Sequence, residues 1–208
     1  MFAASTYEEI EQIESQVENM EIVVFLFVRP SEEQILKEFE YIHYNSAKYC
    51  TIYAVGYTDD YSKTSERSYR KVDVYMQQDW YFSMKAFTEF KEKLQERIHW
   101  SYSGETEILI LQNNPGKRNV LDFRNYVAID INKGIREGYI DSFQSFMEAL
   151  IRSSKRVVTA KEAARYIRNS RISVKETLAS AIDASKKVPV PIKEIVKDRL
   201  FYRCANSM

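Results

Sequence analysis

The chain has 208 residues, a mass of 24.5 kDa, and 45% apolar and 29% charged residues, a composition that fits one globular domain with an appendage and excludes a disordered chain or a disulfide scaffold. Its longest apolar run, Ile22 to Val28, is far short of the roughly 20 residues of a membrane-spanning helix, and the acidic start, Met1 to Met20, lacks the pattern of a secretory signal, so a cytoplasmic chain without a membrane span is expected. The formal net charge is zero, but from Arg152 onward 14 Lys and Arg against 5 Asp and Glu leave +9, balanced by −9 before it, an asymmetry that suits an anionic partner or a tail folded back on an acidic body.

Ser5 to Met20 reads as an amphipathic helix. Thr6 or Ser5 serves as N-cap, Glu8 and Glu9 lie in the first turn, and Ile10, Ile13, Val17 and Met20 recur at helical spacing. Ile22–Val28 is a short run apolar on both faces, as a central strand of a covered sheet would be, and Pro30 closes it. Ser31 with Gln34 forms a capping box, and Ile35, Leu36, Phe39 and Ile42 carry a helix to about Tyr44. Lys48–Gly56 is the next strand, so the two strands and the helix between them form a right-handed βαβ unit with parallel strands. Tyr41 to Tyr49 is a polar, aromatic turn in which Asn45 stops the helix.

Residues 57–79 are polar and Tyr-rich, with a weak alternating patch at Val72, Val74 and Met76; they read as an insertion, either a small hairpin or a functional loop. Trp80 to Ile98 is expected as a helix carrying Met84, Phe87, Phe90, Leu94 and Ile98 on one face. A strand at Glu107–Leu111, a turn at Asn113-Asn114-Pro115-Gly116, a strand near Tyr126–Ile131 and a helix from Asp141, with Gln144 in the reciprocal cap position, complete the body.

This order resembles the thioredoxin-like arrangement, in which the last two strands pair antiparallel. Where active members of that family keep CxxC, the chain reads Arg29-Pro30-Ser31-Glu32-Glu33, and Thr106 lacks a preceding proline, so thiol redox chemistry is not expected. A flavodoxin-like or Rossmann-like doubly wound sheet fits the same element order if those strands run parallel. The fold expected is therefore α/β: a small three-layer mixed sheet of about four strands, with an N-terminal helix, over residues 1–153. A basic helical segment follows over 154–208.

That segment holds capping boxes at Thr159–Glu162 and Ser173–Glu176, a rigid break at Val188–Pro191 and a last helix to about Leu200. Thr159–Ile167 resembles the T-x-x-E-A-A-x-x-L first helix of excisionase-type and MerR-type DNA-binding modules, which implies Arg165, Arg168, Arg171 and Lys175 as nucleic-acid contacts. Asn169 stands where those modules keep a turn glycine, and a plain helical hairpin is the competing reading.

Five glycines compose no phosphate-binding loop, His43 and His99 sit in no catalytic motif, and Cys50 and Cys204 have no metal-ligand spacing. No metal, cofactor or complete catalytic set is expected. Ligands of open α/β sheets gather beyond the carboxyl ends of the strands, which selects Arg29 and Ser31 after the first strand and Tyr57, Asp59 and Asp60 after the second, lidded by Tyr61 to Tyr75. The competing reading gives Ser31 a capping role and leaves the acids solvated. The function expected is a non-catalytic module that engages a macromolecular partner, a protein, through the insertion and the basic tail. A small-ligand or anion-binding sensor or enzyme, and a DNA-binding regulator using residues 157–185, are the alternatives.

Overall fold

The computed structural model describes residues 1–19, 21–46, 49–64, 68–74, 77–124, 126–154 and the backbone of Tyr202–Cys204. In chain order the elements are β1 (Phe2–Ala4), α1 (Tyr7–Ser15), β2 (Ile22–Phe27), α2 (Glu33–Leu36), α3 (Phe39–Ser46), β3 (Cys50–Val55), β4 (Tyr57–Thr58), a 3-10 turn (Tyr61–Lys63), β5 (Arg70–Val72), β6 (Trp80–Phe82), α4 (Met84–Arg97), β7 (Glu107–Gln112), β8 (Val127–Asp130), α5 (Ile131–Arg136), α6 (Phe143–Ser154) and β9 (Tyr202–Cys204).

Five strands of the body form a mixed sheet in the order β1-β3-β2-β7-β8, which β9 extends beside β8. β2 lies at its centre with all six residues buried. It runs parallel to β3, with Phe25 opposite Tyr53, and antiparallel to β7, with Phe25 opposite Leu109. β7 and β8 are also antiparallel, which removes the doubly wound parallel alternative.

The layers follow from strand alternation. Phe25 and Phe27 meet Phe90 and Phe87 of α4 at centroid distances of 5.4 and 5.8 Å, and Tyr53 of the same face reaches Glu14 of α1. Cys50 lies on the other face, beside Ser154 of α6, whose hydroxyl donates to the Leu150 carbonyl (2.9 Å). α3 and α6 pack together on that side, so the sheet is covered twice.

Several boundaries differ from expectation for identifiable reasons. Thr6 and Glu9 close a reciprocal cap on α1, but the helix ends at Ser15 because the chain beyond it turns to meet Asn113, whose side-chain amide donates to the Asn19 carbonyl (3.1 Å). Ser31 is not a cap: it is exposed, no side-chain bond closes α2, and the expected single helix breaks at Lys37, with α3 restarting as Ile42 N–H donates to the Glu38 carbonyl. Trp80–Phe82 is a strand rather than the start of a helix, because Ser83 caps α4 by accepting from Ala86 N–H (3.2 Å). The insertion is a three-stranded sheet, β4-β6-β5. The last body helix begins at Phe143, with Ser142 rather than Asp141 accepting from the Ser145 N–H. β1 and α5 were not expected from the sequence. The helices expected within 154–208, with Arg165, Arg168, Arg171 and Lys175, lie outside the described residues, as do Lys48, Tyr75 and Met76.

Candidate functional site

Two backbone contacts hold the chain as it leaves β2. Tyr57 Oη donates to the Val28 carbonyl (3.2 Å), and Glu32 N–H donates to the Arg29 carbonyl (3.0 Å). Arg29 is thereby fixed, half-buried, at the carboxyl end of the central strand. Its Cζ lies 5.9 Å from the ring centroid of Tyr102, within the range of an attractive cation–π contact. Its Nε is enclosed without an acceptor, and among the described residues no carboxylate forms an ion pair with it.

Tyr102 arrives from the loop between α4 and β7, which Glu107 ties down. That carboxylate accepts from the Trp100 indole N–H and from the Ser103 backbone N–H, each at 2.7 Å. Trp100 and Tyr102 then close over Phe27, at centroid distances of 4.9 and 5.8 Å. Burial pushes the Tyr102 phenol up to about 12, with the Arg29 charge opposing and Glu107 and Glu32 adding to the rise. Burial likewise raises the Glu107 carboxyl against the pull of its bonds to Ser103 and Trp100. The Tyr102 O–H and Thr106 Oγ1 are also buried without an acceptor, although the phenol oxygen lies within bonding reach of the Arg29 guanidinium. Arg29 Nε and the Tyr102 O–H, close together, depart from the rule that buried polar groups are bonded.

The other residues singled out from sequence take separate places. Tyr57 is fully buried in the aromatic cluster of Phe39, Trp80 and Phe82, and burial raises its phenol. Asp59 accepts from the Gln78 side chain (3.0 Å). Asp60 caps the 3-10 turn, accepting from Ser62 N–H and Oγ, which holds its carboxyl below the usual range. The strand ends do converge, yet Arg29 meets Tyr102 rather than the two aspartates. Among the described residues no group of three or more His, Cys, Asp or Glu is placed to hold a metal ion. His43 Nδ1 pairs with the Met1 carbonyl (2.9 Å), and burial pushes the Cys50 thiol up to about 11, an inert state.

At the opposite end of the sheet lies a second polar cluster that sequence reading missed. Tyr53 Oη and Asn113 Nδ2 donate to the two oxygens of buried Glu14 (2.8 and 3.2 Å), and Asn113 Oδ1 accepts from Glu21 N–H (2.6 Å). The cluster is internally bonded and reads as structural cross-bracing of α1, β3 and β7.

Fold and site together define a mixed α/β protein with a central five-stranded mixed sheet, a small inserted sheet and, at the carboxyl end of the central strand, an arginine with no carboxylate partner among the described residues. No helix among the described residues is long and apolar enough to cross a membrane. No protein-family model matches the chain, and no curated protein and no solved structure matches it.

Proposed function

We propose that the protein is a non-catalytic binding module on a thioredoxin-like scaffold, engaging a protein partner at the carboxyl end of β2 and over the inserted sheet. The observation that carries this reading is Arg29, a guanidinium at the ligand end of the sheet with no carboxylate partner among the described residues. The scaffold assignment is supported by three parallel strands followed by two antiparallel ones. The turn Arg29-Pro30-Ser31-Glu32 holds no thiol, and the nearby buried carboxylate of Glu107 is already bonded twice. Both facts favour holding a ligand over making or breaking bonds. Recognition surfaces are enriched in tyrosine, and the insertion presents Tyr61, 74% exposed, edge-on to Tyr81 at 5.8 Å. The +9 charge from Arg152 onward would steer an acidic partner toward the module. A reducing, cytoplasmic setting suits the unpaired Cys50 thiol in the core.

Affinity capture from source-cell extract, with the full chain, with Arg29→Glu and with a version ending at Ser153, tests the reading. The full chain is expected to retain a defined protein set that Arg29→Glu loses. Equal recovery by the full chain and by Arg29→Glu overturns the reading.

A further inference from the structure

We propose that Arg29 and Tyr102 form a receptor for a single carboxylate, so that the partner of the binding module is recognised through an Asp or Glu side chain or a chain-terminal carboxylate. This inference rests on the binding-module reading and names the chemistry its site selects. Three observations converge on it. The guanidinium is immobilised by the Tyr102 ring beneath it and by the Glu32-to-Arg29 turn, so little side-chain freedom remains to be lost on binding. Its Nε is shut off from water without an acceptor, whereas Arg29 as a whole is only partly buried, and its guanidinium bonds the Tyr102 hydroxyl but no carboxylate among the described residues. Such a fork, desolvated on one side and open on the other, matches the planar geometry of a carboxylate. Tyr102 Oη, beside the guanidinium, keeps its own O–H without an acceptor and is a second donor at the same place.

The surroundings also set the ligand's charge. Glu32 and Glu107 both act on Tyr102 electrostatically, and Glu107 is committed to Trp100 and Ser103. A monoanion satisfies Arg29. A second negative charge on the same ligand meets these two carboxyl groups, so a phosphate dianion is disfavoured.

The test is a titration of isotopically labelled full-length protein followed by NMR at the backbone amides of Glu32 and Ser103. The probes are acetate, inorganic phosphate above its second pKa, acetyl-Gly-Glu-Gly-amide, acetyl-Gly-Gly-Gly with a free carboxyl terminus, and acetyl-Gly-Gln-Gly-amide. Acetate and at least one carboxylate peptide are expected to give saturable shifts, and the peptide that binds more tightly tells side chain from terminus. The glutamine peptide should give none, and phosphate should bind more weakly than acetate. Arg29→Lys, which keeps a charge but loses the fork, should weaken binding about tenfold, and Tyr102→Phe about fivefold, the worth of one hydrogen bond. Unchanged melting temperatures in both variants would show that the fold persists. Absence of saturable shifts, tighter binding of phosphate, or equal binding by Arg29→Lys overturns the proposal. If capture of a protein partner still depends on Arg29 while no carboxylate binds, this inference fails and the binding-module reading stands; carboxylate binding without any capture gives the reverse.

Discussion

Glu14 is 1% exposed, and among the described residues its carboxylate is bonded by the Tyr53 hydroxyl and the Asn113 amide and by no cation. Burial pushes its carboxyl above the usual range, and the nearby Glu21 charge adds to the rise while the two hydrogen bonds oppose it. A carboxyl whose folded value exceeds its unfolded one stabilises the fold fully below the unfolded value, near 4.5, and loses that contribution as pH rises through the raised folded value. Glu107 follows the same sign. Urea unfolding of Glu14→Gln at about pH 5 and about pH 8 should therefore show a flatter pH dependence than the parent protein, with equal or greater stability at the higher pH. Glu14→Ala orphans both donors and opens a void, and should destabilise by about 2–4 kcal/mol. The sequence offered little warning of this cluster. Its i, i+3, i+4 pattern placed Ile13 on the buried stripe, yet Ile13 is 42% exposed and the stripe runs Tyr7, Ile10, Glu14. A carboxylate becomes a core residue only when donors from remote strands reach it, and Asn113 read only as part of a turn. The place of Arg29 just beyond a strand was legible from the apolar run before it, whereas Tyr102 comes beside it only through tertiary folding.

Gly56 joins the two sheets. It sits between β3 and β4 at φ +83, its N–H donates to the Ala4 carbonyl (2.9 Å), and its carbonyl accepts from Ser83 N–H (3.0 Å). A Cβ there would lie 2.7 Å from Phe87 Cβ and 3.0 Å from Phe87 Cα, too close without moving α4. Gly56→Ala combines left-handed backbone strain with overpacking and should destabilise by about 2–4 kcal/mol in denaturant unfolding; a loss below about 0.5 kcal/mol would contradict this account. Central elements were legible because their signals are local: β2 is apolar throughout, and Thr6 with Glu9 spells a cap. Short elements were harder. α5 spans six residues between the Asp130 cap and Gly138, where Gly138 N–H bonds the Ile135 carbonyl and Tyr139 N–H the Gly134 carbonyl, a Schellman ending. Those two punctuation residues were the available signal. Trp80–Phe82 was absorbed into the following helix because three aromatic residues fit either period, and only pairing to β4 and β5 decides the matter.

At the scale of the molecule, one apolar core serves both sheets. Trp80 of the insertion packs 5.8 Å from Phe39 and 6.0 Å from Tyr57, while Trp100 packs on Phe27 of the central strand. The insertion and the body should therefore unfold together. In urea, fluorescence of Trp80 alone (Trp100→Phe) and of Trp100 alone (Trp80→Phe) should each coincide with loss of far-ultraviolet circular dichroism in the same variant; an early transition reported by Trp80 would show a separately unfolding insertion. The parallel pairing of β2 with β3 could be read from sequence because a helix-length crossover leaves few other topologies. The placement of β1 beyond β3 could not, because a three-residue edge strand carries no periodicity.

The strand order also bears on how the chain is made. β2 gains its second neighbour only when Glu107 pairs with Phe27, about eighty residues later, which at ribosomal speeds is roughly 4 to 16 seconds. Throughout that interval the uncharged run IVVFLF has one unpaired edge, with the composition of a segment prone to cross-β stacking. A nascent chain stalled before Glu107 is thus the form in greatest need of a chaperone, and slowing translation across that stretch should lower the yield of native protein.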